Sequence, residues 1–212
     1  MPSPSAIATR FELPEAARAL LLRSGAMQTP HTGRVLFDHL LATCQQLHAW
    51  GNPQAVCMAG LFHSIYGTNA FTHQSLVQSQ RAELQNAIGT DAEALAWLFC
   101  SIDRPHAILQ GLQSRKPSGS TQLQGRAGAQ HPGLAEGALL VQYTQLQALA
   151  EMECANLIEQ ASWGKALQGL YCAAIDNPGL LSNGALAALR SGLANKLQAP
   201  LHQQALAQRQ AA

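Results

Sequence analysis

Two histidines in apolar helical stretches are the residues of this chain best suited to chemistry. His63 lies near the end of the run at residues 59–68 (AGLFHSIYGT), and His39 lies 24 residues upstream on the preceding helical segment. Imidazole nitrogens bind divalent ions such as Mn²⁺, Fe²⁺ or Zn²⁺, and a bound ion lowers the pKa of a water so that hydroxide can attack phosphorus. Without the surrounding pattern, a hydrogen-bonded core would explain the same pair.

Helical periodicity predicts the elements that position these histidines. Residues 29–50 carry apolar side chains at helical spacing, and Pro53 starts a helix that is apolar on nearly every side. We expect this second helix in the middle of the domain. His48 is nine residues from His39, about 180° around the helix, and should face away from the site. Further helical patterns cover residues 14–22, 81–88, 92–100, 134–159, 162–174 and 184–197.

The fold class predicted from these patterns is all-α, because the sequence shows no strand pattern. A chain of 212 residues with 47% hydrophobic content can bury one good core, which favours a single domain. We predict a flexible lead over residues 1–12, a helical domain over 13–200 and a flexible tail over 201–212. Within the domain, residues 113–132 are rich in Ser, Gly, Gln and Pro and are predicted as a long surface loop.

Composition argues against several classes of partner. Charged residues make up 12% of the chain and the formal net charge is +1, so no basic surface is available for a nucleic acid. No apolar run approaches the roughly 18 residues of a membrane span, and the N-terminus lacks a signal pattern. The five cysteines are far apart and favour free thiols in a reducing compartment. We therefore expect a cytoplasmic protein with a small-molecule ligand, and a homodimer is left open.

The order of these elements resembles the HD-domain superfamily. That superfamily places a histidine on one helix, a His-Asp pair at the end of the next and an aspartate on a much later helix. Here residues 37–41 (FDHLL) and 59–68 supply the histidines, residues 81–95 resemble the following segment of guanosine tetraphosphate hydrolases, and residues 153–158 (ECANLI) resemble the late aspartate helix. The resemblance covers residues 28–160 and implies a single-domain, HD-like helical bundle.

Two residues depart from the HD pattern. Ser64 and Asn156 stand where the superfamily has aspartates, so the chain looks like a divergent, uncharacterised branch. The resemblance implies that His39, His63 and Asn156 are metal ligands. Loss of two carboxylates should weaken the binding of a divalent ion unless other groups compensate. Glu153 is a candidate compensator because it precedes Asn156 by three positions and shares its helix face.

The remaining site residues are assigned by position. Ser64, Tyr66 and Glu153 are the catalytic candidates. The substrate-pocket candidates are His31, Arg34, Thr68 and Asp103. His31 precedes His39 by eight residues, about 80° around a regular helix but roughly 12 Å along it, so it can line the pocket without binding the same ion. Tyr66 and Thr68 could donate hydrogen bonds to a ligand, or they could simply end the helix with Gly67.

The function expected from the resemblance is that of a small-molecule enzyme with one divalent metal. It would act as a hydrolase or as an iron-dependent oxygenase, because the superfamily contains metal-dependent phosphohydrolases and di-iron oxygenases such as myo-inositol oxygenase. The alternative is a metal-free HD-like descendant, without any cofactor, that binds a small ligand or acts as an interaction protein. The sequence leaves the substrate, the reaction and the metal open.

Overall fold

A computed structural model describes residues 11–31, 33–113 and 119–210. The helices are α1 (Glu15–Arg23), α2 (Leu36–Ala49), α3 (Gln54–Leu61), α4 (Arg81–Ile88), α5 (Thr90–Ser101), α6 (His106–Gln113), α7 (Tyr143–Glu159), α8 (Lys165–Asp176) and α9 (Asn183–Gln210). The strands are β1 (Pro30–His31), β2 (Arg34–Val35), β3 (Ser120–Gln124), β4 (Leu134–Ala135) and β5 (Ala138–Gln142). Helices therefore predominate, and most of the predicted helical segments are present.

The all-α prediction is wrong, because the fold contains two small antiparallel sheets. Strands β1 and β2 form a hairpin just before α2, and the second sheet has the strand order β3-β5-β4. In β5, Leu139 and Val141 are buried while Leu140 between them is 65% exposed, which is the alternation of a strand with one face on the core. The chain is thus a mixed α/β fold rather than an HD-like bundle of helices alone.

The strands were missed because each carries a weak sequence signal. Strand β3 lies inside the stretch that was predicted as a surface loop, and Leu123 is its one buried residue. Leu123 pairs in register with Leu139, so one inward apolar residue anchors β3 on its neighbour. The leucines of β5 fit a helical spacing as well as an alternating one, and they were therefore assigned to the start of α7.

The predicted chain ends are only partly described. Residues 1–10 of the predicted lead and 211–212 of the predicted tail lie outside the described residues, as do 114–118 of the predicted loop. The rest of the tail, residues 201–210, belongs to α9. Among the described residues, no helix is both long enough and apolar enough to cross a membrane.

Helix α3 is the central element, as its apolar sequence predicts. Every residue from Val56 to Leu61 is buried, and the helix packs against α2, α5 and α7. Gly60 allows α2 and α3 to approach closely, since a Cβ atom there would lie 2.3 Å from Leu47 Cδ1. Gly67, with φ of 74°, then reverses the chain, because a left-handed backbone is costly for other residues. Gly60 therefore permits the close contact of α3 with α2, and Gly67 reverses the chain after the turn that carries His63.

Glu93 on α5 is a buried carboxylate that connects Tyr66, in the turn after α3, to residues of α4. Its two oxygens accept hydrogen bonds from Arg81 at 2.7 and 2.6 Å, from Gln85 at 2.9 Å and from Tyr66 at 2.9 Å. Burial raises the pKa of Glu93, but the hydrogen bonds from Arg81, Gln85 and Tyr66 outweigh burial and hold the pKa below its ordinary value. The ionised form therefore stabilises the fold.

We expect Glu93→Gln to lower the free energy of unfolding by about 3 kcal/mol at pH 7, because the charge of Arg81 loses its buried partner. A depressed pKa contributes stability that is present above the unfolded pKa and lost as the pH falls through the folded value. Denaturant melts of the wild type at pH 7, 5, 4 and 3 should therefore lose more stability on acidification than melts of Glu93→Gln.

The matched control is Glu83→Gln. Glu83 pairs with Arg23 at 2.7 Å in solvent, so its loss should cost less than about 1 kcal/mol. Equal losses in the two variants would show that the Glu93 cluster does not anchor the fold.

Candidate functional site

A cavity of about 460 Å³ gathers most of the predicted site residues. All three predicted metal ligands line it: His39 from α2, His63 from the turn after α3 and Asn156 from α7. Each of the three is buried. The other predicted residues that line the cavity are Ser64, Glu153, His31 and Thr68.

The two imidazoles meet through their Nε2 atoms, which are 3.2 Å apart. The other nitrogen of each ring donates a hydrogen bond to an oxygen that can only accept. His63 Nδ1 donates to the Gly60 carbonyl at 2.7 Å, which also satisfies one of the last free carbonyls of α3. His39 Nδ1 donates to the Glu159 carboxylate. Both rings therefore carry their proton on Nδ1, and both Nε2 lone pairs face each other.

The surroundings keep both rings neutral. Burial, together with the nearby His63, His31 and Arg34, lowers the pKa of His39 to about 2, while a hydrogen bond with Asn156 acts in the opposite direction. Burial and the charge of Arg104 lower the pKa of His63 to about 3, against its hydrogen bond with the Gly60 carbonyl. Two facing lone pairs cannot hydrogen-bond to each other, so the arrangement needs a cation or a donor between them.

The separation of the two nitrogens fits a shared metal ion. Two nitrogens bound at about 2.1 Å to one ion lie roughly 3.0 to 3.4 Å apart, depending on the coordination angle. The observed 3.2 Å between the Nε2 atoms of His39 and His63 falls in this interval. Glu159 behind His39 and the Gly60 carbonyl behind His63 act as the outer partners that usually orient metal-binding imidazoles.

Asn156 is the third polar side chain next to the imidazoles of His39 and His63. Its side chain interacts with both imidazoles and raises the pKa of each. Its Oδ1 atom also accepts a hydrogen bond from Gln160 Nε2 at 2.8 Å. Among the described residues, no group of three His, Cys, Asp or Glu side chains could hold a metal ion. An ion between His39 and His63 would therefore depend on Asn156 and on ligands from outside the chain.

Three buried side-chain atoms in the described part of the chain have no hydrogen-bond partner, and all three belong to residues that line this cavity. They are His31 Nε2, Ser64 Oγ and Arg104 Nε. A buried polar group without a partner costs on the order of 1–3 kcal/mol, so such atoms are rare in folded proteins. Ordered water or a polar molecule in the cavity would complete their hydrogen bonds.

Two residues of the site were missed by sequence reasoning. Glu159 pairs with Arg34 and with His39, and a signal for it was available, since it follows Asn156 by three positions on the same helix face. Arg104 pairs with Glu153 at 2.5 Å, and its guanidinium lies 3.8 Å from the centroid of the Phe99 ring. Arg104 is 8% exposed, and nothing in the sequence around it indicates that it would be buried.

Three predicted site residues lie outside the cavity lining. Tyr66 donates its hydroxyl to Glu93 and lines a separate cavity of about 110 Å³. Asp103 accepts a hydrogen bond from the Asn69 amide at 3.0 Å, and this bond is exposed to solvent. Arg34 forms an ion pair with the Glu159 carboxylate, which is also the partner of His39 Nδ1.

His31 lines the cavity, but it lies against His39 rather than about 12 Å away as a shared regular helix predicts, because it belongs to the β1–β2 hairpin. Its ring stacks on the His39 ring with centroids 4.4 Å apart. The predicted control, His48, packs edge-on against Phe11 and does not line the cavity.

Comparison with known proteins gives one partial match. Residues 20–104 match the family described as a domain of unknown function (DUF6817). This stretch contains His39, His63 and Ser64 and ends at Arg104. The α7 residues of the site lie outside it, namely Glu153, Asn156 and Glu159. No curated protein and no solved structure matches the chain.

We expect Glu159→Ala to change the proton position on His39 and not on His63. Without the carboxylate, His39 Nδ1 loses its acceptor, so the ring is free to carry its proton on Nε2 and to donate to His63. Two-bond ¹H–¹⁵N correlation spectra of the imidazoles report the tautomer of each ring directly. His63 serves as the internal control because the Gly60 carbonyl still holds its Nδ1 proton.

Glu159→Ala should also lower the free energy of unfolding by about 1–3 kcal/mol, since a buried hydrogen bond to a charged group is lost. An unchanged His39 tautomer in this variant would show that Glu159 does not set the orientation of the lone pair.

Proposed function

We propose that this protein is a small-molecule enzyme that holds one divalent metal ion between the Nε2 atoms of His39 and His63, with Asn156 as a third ligand. The observation that carries the proposal is the 3.2 Å separation of the two Nε2 atoms, in rings whose Nδ1 atoms are both hydrogen-bonded to acceptor oxygens. We further propose that the chain is a divergent relative of HD-domain enzymes, on the strength of the order and spacing of these three residues.

Hydrolysis is the reaction class that the residues support best. A bound ion would supply Lewis acidity and lower the pKa of a water. Iron-dependent oxygenases of the facial-triad type use two histidines and one carboxylate, whereas the third group here is the neutral Asn156. An iron-dependent oxygenase therefore remains the second choice, and the ion is Mn²⁺, Fe²⁺ or Zn²⁺.

The roles of the surrounding residues follow from their contacts. Glu159 orients the His39 ring by accepting the Nδ1 hydrogen bond, and Arg34 forms an ion pair with the same carboxylate. Ser64 and Arg104 place unpartnered donors at the cavity wall, where they can bind polar atoms of a substrate. Thr68 shapes the segment beyond His63, because its hydroxyl accepts a hydrogen bond from the Phe71 amide at 3.0 Å.

The proposed compartment is the cytoplasm, and the proposed partner is a small molecule. Four of the cysteines are buried free thiols and Cys172 is an exposed free thiol. Exposed thiols persist in reducing compartments. The near-neutral charge of the chain argues against a nucleic-acid partner.

A metal-free ligand-binding protein is the second candidate, and one hydrogen bond favours it. Gln160 donates to Asn156 Oδ1, which leaves the Asn156 amide NH₂ as a possible donor to the two Nε2 atoms. In that arrangement the imidazoles and the amide form a satisfied polar cluster, and the cavity takes a neutral ligand.

Thermal melts of Ser64→Asp and His63→Ala, with and without Mn²⁺ or Fe²⁺, separate the two candidates. In an enzyme that holds a metal, the ion at a hundredfold excess over its Kd should stabilise the wild type by about 2.7 kcal/mol, or roughly 5–10 °C in Tm. His63→Ala should abolish that rise, because a ligand is lost. Ser64→Asp should enlarge it, because a carboxylate binds hard cations more strongly.

His48→Ala is the matched control, and its melt should respond to metal as the wild type does. In a metal-free protein, Ser64→Asp would bury an uncompensated carboxylate and lose several kcal/mol of stability. A rise with metal that is confined to Ser64→Asp would mean that the natural protein has given up its metal, and the enzyme hypothesis in its metal form would be rejected.

A further inference from the structure

The charges around the cavity are balanced before any ion binds. Glu153 is paired with Arg104, and both side chains are almost fully buried. Glu159 is paired with Arg34 and hydrogen-bonded to His39. Both glutamates near the site are therefore already neutralised by arginines.

The proposed metal ligands add no negative charge. The imidazoles of His39 and His63 and the amide of Asn156 are neutral groups, and each is at most 7% exposed. A divalent ion would consequently bring two positive charges into a buried site that has no free anion to match them. Such an uncompensated charge is strongly unfavourable in a protein interior.

Two fixed donors lie next to this position without partners. Ser64 directly follows His63, and its Oγ is buried with no hydrogen bond. Arg104 uses Nη1 for Glu153, while its Nε is also buried with no hydrogen bond. The two residues line the same cavity as His39 and His63.

Arg104 and His63 are held beside each other by a common aromatic ring. The guanidinium of Arg104 lies 3.8 Å from the Phe99 ring centroid, and the His63 ring packs edge-on against Phe99 with centroids 5.7 Å apart. Arg104 is therefore a neighbour of His63, as Ser64 is by sequence, and a cavity of about 460 Å³ leaves room for a ligand beyond the ion.

We propose that the metal ion and a small oxyanion bind this cavity as a coupled pair, with the oxyanion held by Ser64 Oγ and Arg104 Nε. The inference rests on the proposed metal site. The oxyanion supplies the negative charge that the ligands of the chain lack, and its oxygens complete the two unpartnered donors. A carboxylate or a phosphate group of the substrate has the required chemistry.

Coupling of this kind is reciprocal, so each ligand should tighten the binding of the other by the same factor. The experiment measures the Kd for Mn²⁺ from the electron paramagnetic resonance signal of the free ion. Titrations are run in chloride, acetate and inorganic phosphate at matched ionic strength, with a protein-free blank for each anion. In the wild type, acetate or phosphate should lower the Kd by about 5–150-fold relative to chloride.

Variants assign the effect to the two donors. Ser64→Ala and Arg104→Lys should each lose most of the gain from the oxyanion, measured against the Kd of the same variant in chloride. Ser162→Ala is the matched control, because Ser162 lines the same cavity but is exposed to solvent. Ser64→Asp should bind Mn²⁺ tightly in chloride and lose its dependence on the oxyanion, since the chain then supplies the missing charge.

The outcomes distinguish this inference from the proposed function. Equal Mn²⁺ affinity of the wild type in all three anions would overturn the coupled pair and leave the metal site standing. An oxyanion gain that survives in Ser64→Ala and Arg104→Lys would reject the two donors as its binding site. No Mn²⁺ binding by the wild type in any anion would reject the metal site, and the coupled pair with it. A larger gain with acetate than with phosphate would identify a carboxylate as the oxyanion, and the reverse a phosphate.

Discussion

The missing side chain of Gly60 allows the two histidine-bearing segments to meet. A Cβ atom at this position would overlap Leu47 Cδ1 on α2, so a larger residue would force the buried Leu47 side chain to move. The same residue supplies the carbonyl that accepts the His63 Nδ1 proton. On the facing helix, Thr43 donates its hydroxyl to the His39 carbonyl at 2.9 Å and packs near Gly60. Helix spacing and imidazole orientation therefore depend on one contact.

Buried glutamates organise the region around this contact in different ways. Glu93 is enclosed by four hydrogen bonds and joins α4 to α5, which is a purely structural role. Glu151 accepts hydrogen bonds from Asn52 and from the Ser182 amide just before α9. Glu153 and Glu159 each meet an arginine at the cavity wall, where pairing leaves the site without net charge. Burial of a carboxylate is tolerated at all four positions because a donor or a cation compensates it.

Sequence reasoning was reliable where side chains repeat at a helical period and unreliable where one residue carries the signal. The apolar faces of α2 and α3 are long, and they correctly indicate that His39 lies on a buried helix and His63 at the end of its neighbour. Strand β3 depends on Leu123 alone, which no periodicity can reveal. Arg104 was missed for a different reason, since its burial depends on Glu153, a residue that is distant in sequence.

Helix α7 contacts four parts of the protein through three carboxylates that are spread over about two turns of its length. Glu151 reaches the start of α9, Glu153 reaches Arg104, and Glu159 reaches the β1–β2 hairpin through Arg34 and the α2 histidine directly. Each residue of an α-helix advances the side chains by about 100°. One residue inserted between positions 153 and 159 would turn Glu159 away from its partners while Glu153 kept its own. Homologous chains that retain this site should therefore vary in the composition of this segment and keep its length.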